Sequence, residues 1–270
     1  MSIDRIEQIV EEAIKRILDN TISGRKITKI SKKHEAKIHF MPIRYRILSG
    51  LLQSLNIQFG NFIEVLMHRI VEGEENLEII ESISGRKNVS LQITDETDNL
   101  IDQFITNCQN GNYPDISKGF KSLLKNIIKS QRTGENLVGH KGDVDILFRN
   151  KQSGTYYYIE AKYNDDHDTG KFVNINRKFL KTYAGLVRSL DIENIDQLKP
   201  ILYYFNRKIL KGNIYVPEEE YIYRGKKLFE EFFSIEYDKV DKLLENISEN
   251  KKMVKIFDDL YKTIRYKTNL

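Results

Sequence analysis

Cysteine is nearly absent from this sequence, which contains a single one, Cys108, among 270 residues. One thiol forms no intrachain disulfide and cannot assemble a zinc site from thiolates. Cys108 follows Ile101, Phe104 and Ile105 at helical spacing, which is typical of the apolar stripe of a helix. We therefore expect Cys108 to be a core residue.

A long apolar run is also missing. The amino-terminal segment MSIDRIEQIVEEAIKRIL alternates charged with apolar side chains. This pattern fits neither a signal peptide nor a membrane span, so we expect a cytoplasmic protein. Low-complexity tracts, which would indicate disorder, are absent as well.

The chain lacks a large excess of charge of one sign. Its 43 lysines and arginines nearly balance 39 aspartates and glutamates, for a net charge of +4. Such a charge permits binding to nucleic acid but does not require it, so a DNA surface has to come from local clustering. The most basic segment, residues 24–34, includes Arg25 and Lys26 and is a candidate DNA-binding arm.

Hydrophobic periodicity predicts helices at both ends of the chain and strands in its middle. The predicted helices cover residues 3–17, 42–56, 62–71, 75–83, 96–109, 117–130 and 171–190, with two or three more within 218–267. The predicted strands cover residues 88–94, 143–148, 155–161 and 200–205. We expect an α/β fold with a mixed central sheet flanked by helices, as one elaborated domain over residues 1–270. Its predicted parts are amino-terminal helices (1–110), a catalytic core (111–210) and carboxy-terminal helices (211–270).

Two of the predicted strands form a hairpin that brings charged residues together. If its polar turn is centred at 152–153, Asp145 faces Glu160, and Asp143 faces Lys162. Alternate residues of a strand share a face, so these four side chains would project from one side of the hairpin. A register slip of one residue would destroy this arrangement.

Three carboxylates on one patch of sheet repel one another unless a cation lies between them. Mg²⁺ takes oxygen ligands, commonly one or two carboxylates with water and phosphate oxygens. The backbone carbonyl of Ala161 could supply a further oxygen. A metal bound there would activate water for attack on a phosphodiester. Lys162 would orient or deprotonate this water, or stabilise the pentacovalent phosphate.

The sequences GDVDI at residues 142–146 and YIEAK at 158–162 resemble the bipartite motif of the PD-(D/E)XK nucleases. The resemblance implies a restriction-endonuclease-like core in which Asp145, Glu160 and Lys162 bind metal and catalyse phosphodiester hydrolysis. Val144 replaces the proline of the motif. Asp145 matches the metal-binding aspartate best because it directly precedes an apolar run. Whether Asp143 is a further ligand or only a support stays open.

The segments KYNDDHDTGKF (162–172) and INRK (175–178) are similar to the HinfI-like group of type II restriction endonucleases. This closer resemblance covers about residues 142–188. It implies Mg²⁺-dependent cleavage of double-stranded DNA at a short palindrome, GANTC, with 5′-phosphate ends. It also implies a cognate DNA methyltransferase in the same system. A palindromic site is most simply cut by a symmetric homodimer.

Further residues are candidates for auxiliary roles or DNA contacts. Glu135 and His167 are candidate auxiliary residues of the site, although residues 165–168 also fit the polar start of the next helix. The helix after the second catalytic strand adds candidate phosphate contacts or, equally, a solvated face: Lys171, Asn176, Arg177 and Lys178.

Other interpretations of the charged strands stay open. They also fit a solvated hairpin face with cross-strand ion pairs. Two other functions remain: a repair or junction-resolving nuclease of the PD-(D/E)XK kind, and a non-catalytic DNA-binding module with a structural acidic patch.

Overall fold

A computed structural model describes residues 2–22, 24–35, 40–163, 169–206 and 215–267 of the chain. The chain divides into two compact units. The helical unit comprises Met1–Leu66 and Ser234–Leu270, and the sheet unit comprises Met67–Phe233. The single domain expected from the sequence stays a prediction. No helix in the described ranges is long and apolar enough to cross a membrane.

The helical unit is built around an apolar core. Its helices are α1 (Ile3–Ile22), α2 (Gly24–Glu35), α9 (Tyr237–Ser248), α10 (Lys251–Lys267) and most of α3 (Ile43–Glu72). The core side chains come from α1, α3 and α10: Leu18, Ile47, Leu51, Leu55, Leu260 and Ile264. Ile27 and Ile30 of α2 pack against them. The basic segment 24–34 is therefore part of a helix that packs on this core.

Two predicted helices, 42–56 and 62–71, are one continuous helix, α3. Gly60 lies between the two predicted helices, and glycine disfavours helix interiors. Glycine costs only about 1 kcal/mol relative to alanine there, and tertiary packing overrides such a preference. Buried side chains lie on either side of it, including Leu55 and Ile63. The helix therefore continues through the glycine.

The sheet unit contains a mixed sheet, as the sequence predicted. Its strand order is β1-β4-β5-β6-β7, where the β1–β4 and β4–β5 pairs are antiparallel and the β5–β6 and β6–β7 pairs are parallel. A separate antiparallel pair is formed by β2 and β3. The strands are β1 (Leu77–Ile79), β2 (Arg86–Thr94), β3 (Leu137–Val144), β4 (Ile146–Asn150), β5 (Tyr156–Lys162), β6 (Leu198–Tyr204) and β7 (Ile222–Arg224).

Helices cover both faces of the mixed sheet. The helices of the sheet unit are α4 (Asp95–Gln109), α5 (Ile116–Thr133), α6 (Thr169–Ser189), α7 (Glu218–Tyr221) and α8 (Lys226–Phe232). On one face, Tyr158 stacks on Phe179 of α6 with ring centroids 5.5 Å apart. On the other, Tyr157 meets Phe232 of α8 at 4.7 Å. The hairpin therefore has an apolar environment on both sides, whereas the sequence analysis expected one core face.

The predicted hairpin register is confirmed by the pairs Ile146–Ile159, Leu147–Tyr158 and Phe148–Tyr157. The predicted strand 143–148 is nevertheless interrupted at Asp145. Its first residues belong to β3 and pair with β2, whereas β4 begins only at Ile146.

Two short segments were predicted wrongly. The expected helix over 75–83 contains the strand β1, which pairs with β4 at the sheet edge. The segment 218–267, for which only helices were predicted, contains the strand β7 between α7 and α8. Both strands have three residues, too few to show an alternating pattern, and pairing with a neighbour determines their conformation.

Gly185 of α6 lies where this helix packs against β2. A Cβ at this position would stand 2.6 Å from the Cβ of Leu91, which cannot rotate away. We expect Gly185→Ala to lower the free energy of unfolding by about 1–3 kcal/mol, because overpacking outweighs the gain in helix propensity. Gly139→Ala is the matched control, since nothing lies within 4 Å of its added Cβ. Equal unfolding midpoints of the two variants in urea would contradict the prediction.

Candidate active site

Asp145 and Glu160 lie side by side at the end of the hairpin, as the register predicted. Only 3% of Asp145 and 1% of Glu160 is exposed. The carboxylate of Asp145 accepts a hydrogen bond from the backbone N–H of Ala161 through Oδ2, at 3.0 Å. Because β4 begins one residue later, the Asp145 side chain rather than its backbone ties the chain to β5 here.

Lys162 places its ammonium group among three oxygens. Its Nζ lies 2.7 Å from Oε1 of Glu160 and 3.8 Å from Oδ2 of Asp145. It also donates to the backbone carbonyl of Ala161 at 3.1 Å. Those three oxygens are the ones that the sequence predicted as metal ligands, and they converge on one positive charge.

Two more lysines reach the same carboxylates. Lys178 of α6 donates to Oε1 of Glu160 at 2.9 Å and lies 3.9 Å from Oδ2 of Asp143. Lys87 of β2 lies 3.6 Å from Oδ1 of Asp145. The sequence suggested Lys178 only as a DNA contact, and it did not suggest Lys87 at all.

An irregularity in β2 explains how Lys87 comes to lie near Asp145. The register between β2 and β3 shifts between Arg86 and Val89, and Asn88 has a positive φ of 54°. The N–H of Asn88 donates to Oδ1 of Asp143 at 2.9 Å. Bulges of this kind redirect side chains and are frequent near active sites. Nothing local in the sequence marks this bulge, because it depends on pairing with a strand about 50 residues away.

Asp143 does not take the predicted place opposite Lys162. It belongs to β3, whose partner is β2, so its carboxylate lies between the Asn88 N–H and the ammonium of Lys178. Its side chain is 36% exposed, unlike those of Asp145 and Glu160. The predicted pairing across the hairpin ends at Ile146, three residues short of Asp143, because the strand breaks at Asp145.

The charges around Glu160 hold it ionised. Burial raises the pKa of its carboxyl, but the ammonium groups of Lys162 and Lys178 outweigh burial and lower this pKa to about 2. The hydroxyl of Tyr158 donates to Oε2 of Glu160 at 2.9 Å. Burial, together with the negative charge of Glu160, raises the pKa of Tyr158 well above its ordinary value, so this tyrosine stays a neutral donor.

The donor set suits a hard divalent cation. Among the described residues, no cluster of three or more Asp, Glu, His or Cys side chains has metal-binding geometry. Mg²⁺ needs no such cluster, since it keeps several waters and binds through one or two carboxylates and substrate phosphates. Two buried carboxylates and a backbone carbonyl that already surround one cationic group fit this requirement.

The other predicted site residues lie in different surroundings. Asn176 is fully buried, where it donates to the carbonyl of Phe172 at 2.7 Å and accepts from the N–H of Tyr215 at 3.2 Å. Arg177 pairs with Asp102 of α4 at 2.8 Å. Glu135 is exposed between α5 and β3. His167 and the side chains of Arg25, Lys26 and Lys171 lie outside the described residues.

Comparisons with known proteins identify the family. The family described as "Type II restriction endonuclease, HinfI" matches residues 3–248. The chain is 48% identical over 261 residues to the type II restriction enzyme HinfI of Haemophilus influenzae, covering 97% of this chain and 98% of that enzyme. No solved structure matches the chain. The protein therefore belongs to the HinfI family of type II restriction endonucleases, which are site-specific deoxyribonucleases.

Proposed function

We propose that this protein hydrolyses phosphodiester bonds of double-stranded DNA at the palindrome GANTC, using Mg²⁺ and leaving 5′-phosphate and 3′-hydroxyl ends. The observation that carries the proposal is the convergence of Asp145, Glu160 and the Ala161 carbonyl on the ammonium of Lys162. The likeness to the Haemophilus enzyme supports DNA as the substrate. The choice of GANTC derives from the resemblance of residues 142–188 to the HinfI-like group.

In this proposal the buried carboxylates of Asp145 and Glu160 and the carbonyl of Ala161 hold the metal. A divalent cation bound there supplies a Lewis acid that acidifies a coordinated water and neutralises charge on the scissile phosphate. The Ala161 N–H fixes the orientation of Asp145, and the Tyr158 hydroxyl fixes that of Glu160. Both carboxylates therefore need little rearrangement to present oxygens to a cation.

Lys162 acts on the reacting groups. Its side chain is 20% exposed, so its ammonium lies at the border between the buried carboxylates and solvent. A positive charge there orients the attacking water or stabilises the negative charge that develops on the phosphate. Lys178 and Lys87 are 36% and 49% exposed, and they are placed to bind neighbouring phosphate oxygens.

Further roles remain part of the proposal. Asp143 is an auxiliary ligand or a support for Lys178, and Glu135 and His167 are auxiliary candidates. Lys171, Arg177, Arg25 and Lys26 are candidate DNA contacts. We do not include Asn176 among them, because its buried amide is engaged within the protein.

A palindromic target also suggests how the protein works in the cell. We propose a homodimer in which each protomer cuts one strand, since two-fold symmetry in the protein then matches that of the site. A methyltransferase of the same specificity would protect the host DNA, and both enzymes would act in the cytoplasm.

Digestion of a plasmid of known sequence tests the proposed function. Purified protein with Mg²⁺ should give discrete, repeatable fragments whose ends map to GANTC. The new 5′ ends should accept label from polynucleotide kinase only after phosphatase treatment, because they carry phosphate.

Two outcomes would replace the proposal by its alternatives. Cutting of branched DNA alone would indicate a repair or junction-resolving nuclease. Tight DNA binding without nicking at any Mg²⁺ concentration would indicate a non-catalytic DNA-binding module.

A further inference from the structure

The helical unit carries the positive charge of the chain. It holds 19 of the 43 lysines and arginines but only 14 of the 39 acidic residues, for a net charge of +5 against −1 in the sheet unit. Within the helical unit, α2 and α10 have five and six basic residues, against one and two acidic ones. In contrast, α1 and α9 have a net negative charge. The basic residues are therefore segregated by helix.

The basic helices share one core, so their charged sides face outward. Ile27 of α2, Ile47 of α3 and Ile264 of α10 belong to or pack against the same apolar cluster. The basic side chains of these helices that are exposed include Lys29, Lys32, Lys33, Arg44, Lys262 and Arg265.

A groove lies between the first turns of α3 and the last turns of α10. It has a volume of about 140 Å³, several times the roughly 30 Å³ that one water occupies in the liquid. Its lining consists of Arg44, Tyr45, Leu48, Tyr261, Ile264 and Arg265, so the described residues around it include two guanidinium groups and no carboxylate.

The side chains of the groove are arranged as a polar rim over an apolar base. Ile264 is buried and Leu48 is half-buried, whereas Tyr45 and Tyr261 are 40% and 41% exposed. The guanidinium of Arg44 lies 5.0 Å from the ring centroid of Tyr45. Stacking on an aromatic ring restrains an arginine and leaves the edge of its guanidinium able to donate hydrogen bonds.

We propose that this groove binds a backbone phosphate of the DNA substrate, at a position other than the bond that is cut. The inference builds on the proposed function and names a contact of the same substrate. A guanidinium donates two parallel hydrogen bonds to phosphate oxygens, and tyrosine hydroxyls are common partners of the DNA backbone. The net positive charge of the helical unit, to which α2 and α10 contribute most, complements the neighbouring phosphates of a duplex.

The salt dependence of DNA binding by the full-length double variant Arg44→Ala/Arg265→Ala tests the proposal. Fluorescence anisotropy with a labelled duplex in the presence of EDTA measures binding without cleavage, over a range of NaCl concentrations. We expect affinity to fall about 10- to 100-fold, and the slope of log K against log[NaCl] to flatten by about 0.9, the amount that one lost phosphate contact removes. The loss should be equal for duplexes with and without GANTC, because backbone contacts carry no sequence information.

A matched variant distinguishes an effect of the groove on DNA affinity from an effect of net charge alone. Lys15→Ala/Arg16→Ala removes the same charge from exposed positions on the acidic helix α1, and it should leave both affinity and slope nearly unchanged. Equal effects of the two double variants, or no effect of either, would overturn the proposal. The variant Arg44→Gln/Arg265→Gln keeps the side-chain bulk, and it should reproduce the loss if the arginines act on DNA rather than on folding.

The test is independent of the cleavage assay. If wild-type protein cuts plasmid DNA but Arg44→Ala/Arg265→Ala binds DNA as tightly as wild type, the groove proposal fails and the proposed function stands. A wild type that cuts no DNA refutes the proposed function instead. Loss of binding to phosphatidylserine vesicles with intact DNA affinity would make the groove a lipid site, which also overturns the inference.

Discussion

Replacing Glu160 by glutamine is expected to reduce the rate of DNA cleavage by about a thousandfold, the scale of losing a group that stabilises charge at a reacting centre. Three groups converge on this carboxylate, namely the ammonium groups of Lys162 and Lys178 and the hydroxyl of Tyr158. Glutamine keeps the size and can still accept from Tyr158. It cannot balance two ammonium groups or offer a charged oxygen to a cation.

Single-turnover cleavage with enzyme in excess measures this effect without a contribution from product release. Glu231→Gln is the matched control, because it makes the same substitution at an exposed carboxylate outside the site, which likewise accepts a hydrogen bond from a tyrosine hydroxyl, that of Tyr223 at 2.7 Å. The control should cut within a few-fold of wild type. A Glu160→Gln variant that cuts within tenfold of wild type would show that the proposed assignment is wrong.

The stability of Glu160→Gln gives a test that does not depend on cleavage activity. The pKa of Glu160 is lowered in the folded protein, to about 2, so its ionised form stabilises the fold. This stabilisation is fully present above the unfolded value of about 4.3 and is lost as the pH falls from there towards 2. The difference in free energy of unfolding between wild type and Glu160→Gln should therefore be constant near neutral pH and shrink below about pH 4.

The hairpin shows what the sequence alone can establish about this site. The polar turn after β4 and the alternation in β5 are local patterns, so they determine the register that brings Asp145 to Glu160. Lys162 follows from the same alternation, because it lies two residues beyond Glu160 on the same face. These residues could be predicted together because a short turn connects the strands that carry them.

The rest of the site depends on contacts between segments that are far apart in sequence. Lys87 comes from β2, whose pairing with β3 also removes Asp143 from the hairpin. Lys178 is one of several basic residues of α6, adjacent to Arg177 and one turn before Lys181. Only the packing of this helix on the sheet brings Lys178 to Glu160. Local periodicity carries no information on such packing, so the sequence could place Lys178 on a basic helix but not in the site.

The three lysines give the site a balanced charge before any cation binds. Three carboxylates face three ammonium groups, an arrangement that limits the cost of burying Asp145 and Glu160. A cation at Asp145 and Glu160 would compete with Lys162 and Lys178 for the same oxygens. Phosphates of bound DNA would then provide these lysines with new partners, so metal and DNA should each favour binding of the other.

Removal of divalent cations is therefore expected to abolish cleavage, and added Mg²⁺ to restore it. The competition with the lysines predicts that Mg²⁺ binds weakly to the free protein and more tightly once DNA is present. Thermal unfolding reports this binding directly, because a ligand at 100 times its Kd stabilises the fold by about 2.7 kcal/mol. The rise in Tm with Mg²⁺ should be larger in the presence of DNA than in its absence.

Variants of the two carboxylates locate the cation. Asp145→Asn/Glu160→Gln should lose the Mg²⁺-dependent rise in Tm, whereas Glu231→Gln should keep it. Asp143→Asn distinguishes the two roles left open for that residue, since a ligand would contribute to the rise and a support for Lys178 would not. Cleavage that persists in EDTA would refute the metal requirement. A rise in Tm that survives in Asp145→Asn/Glu160→Gln would place the cation elsewhere in the protein.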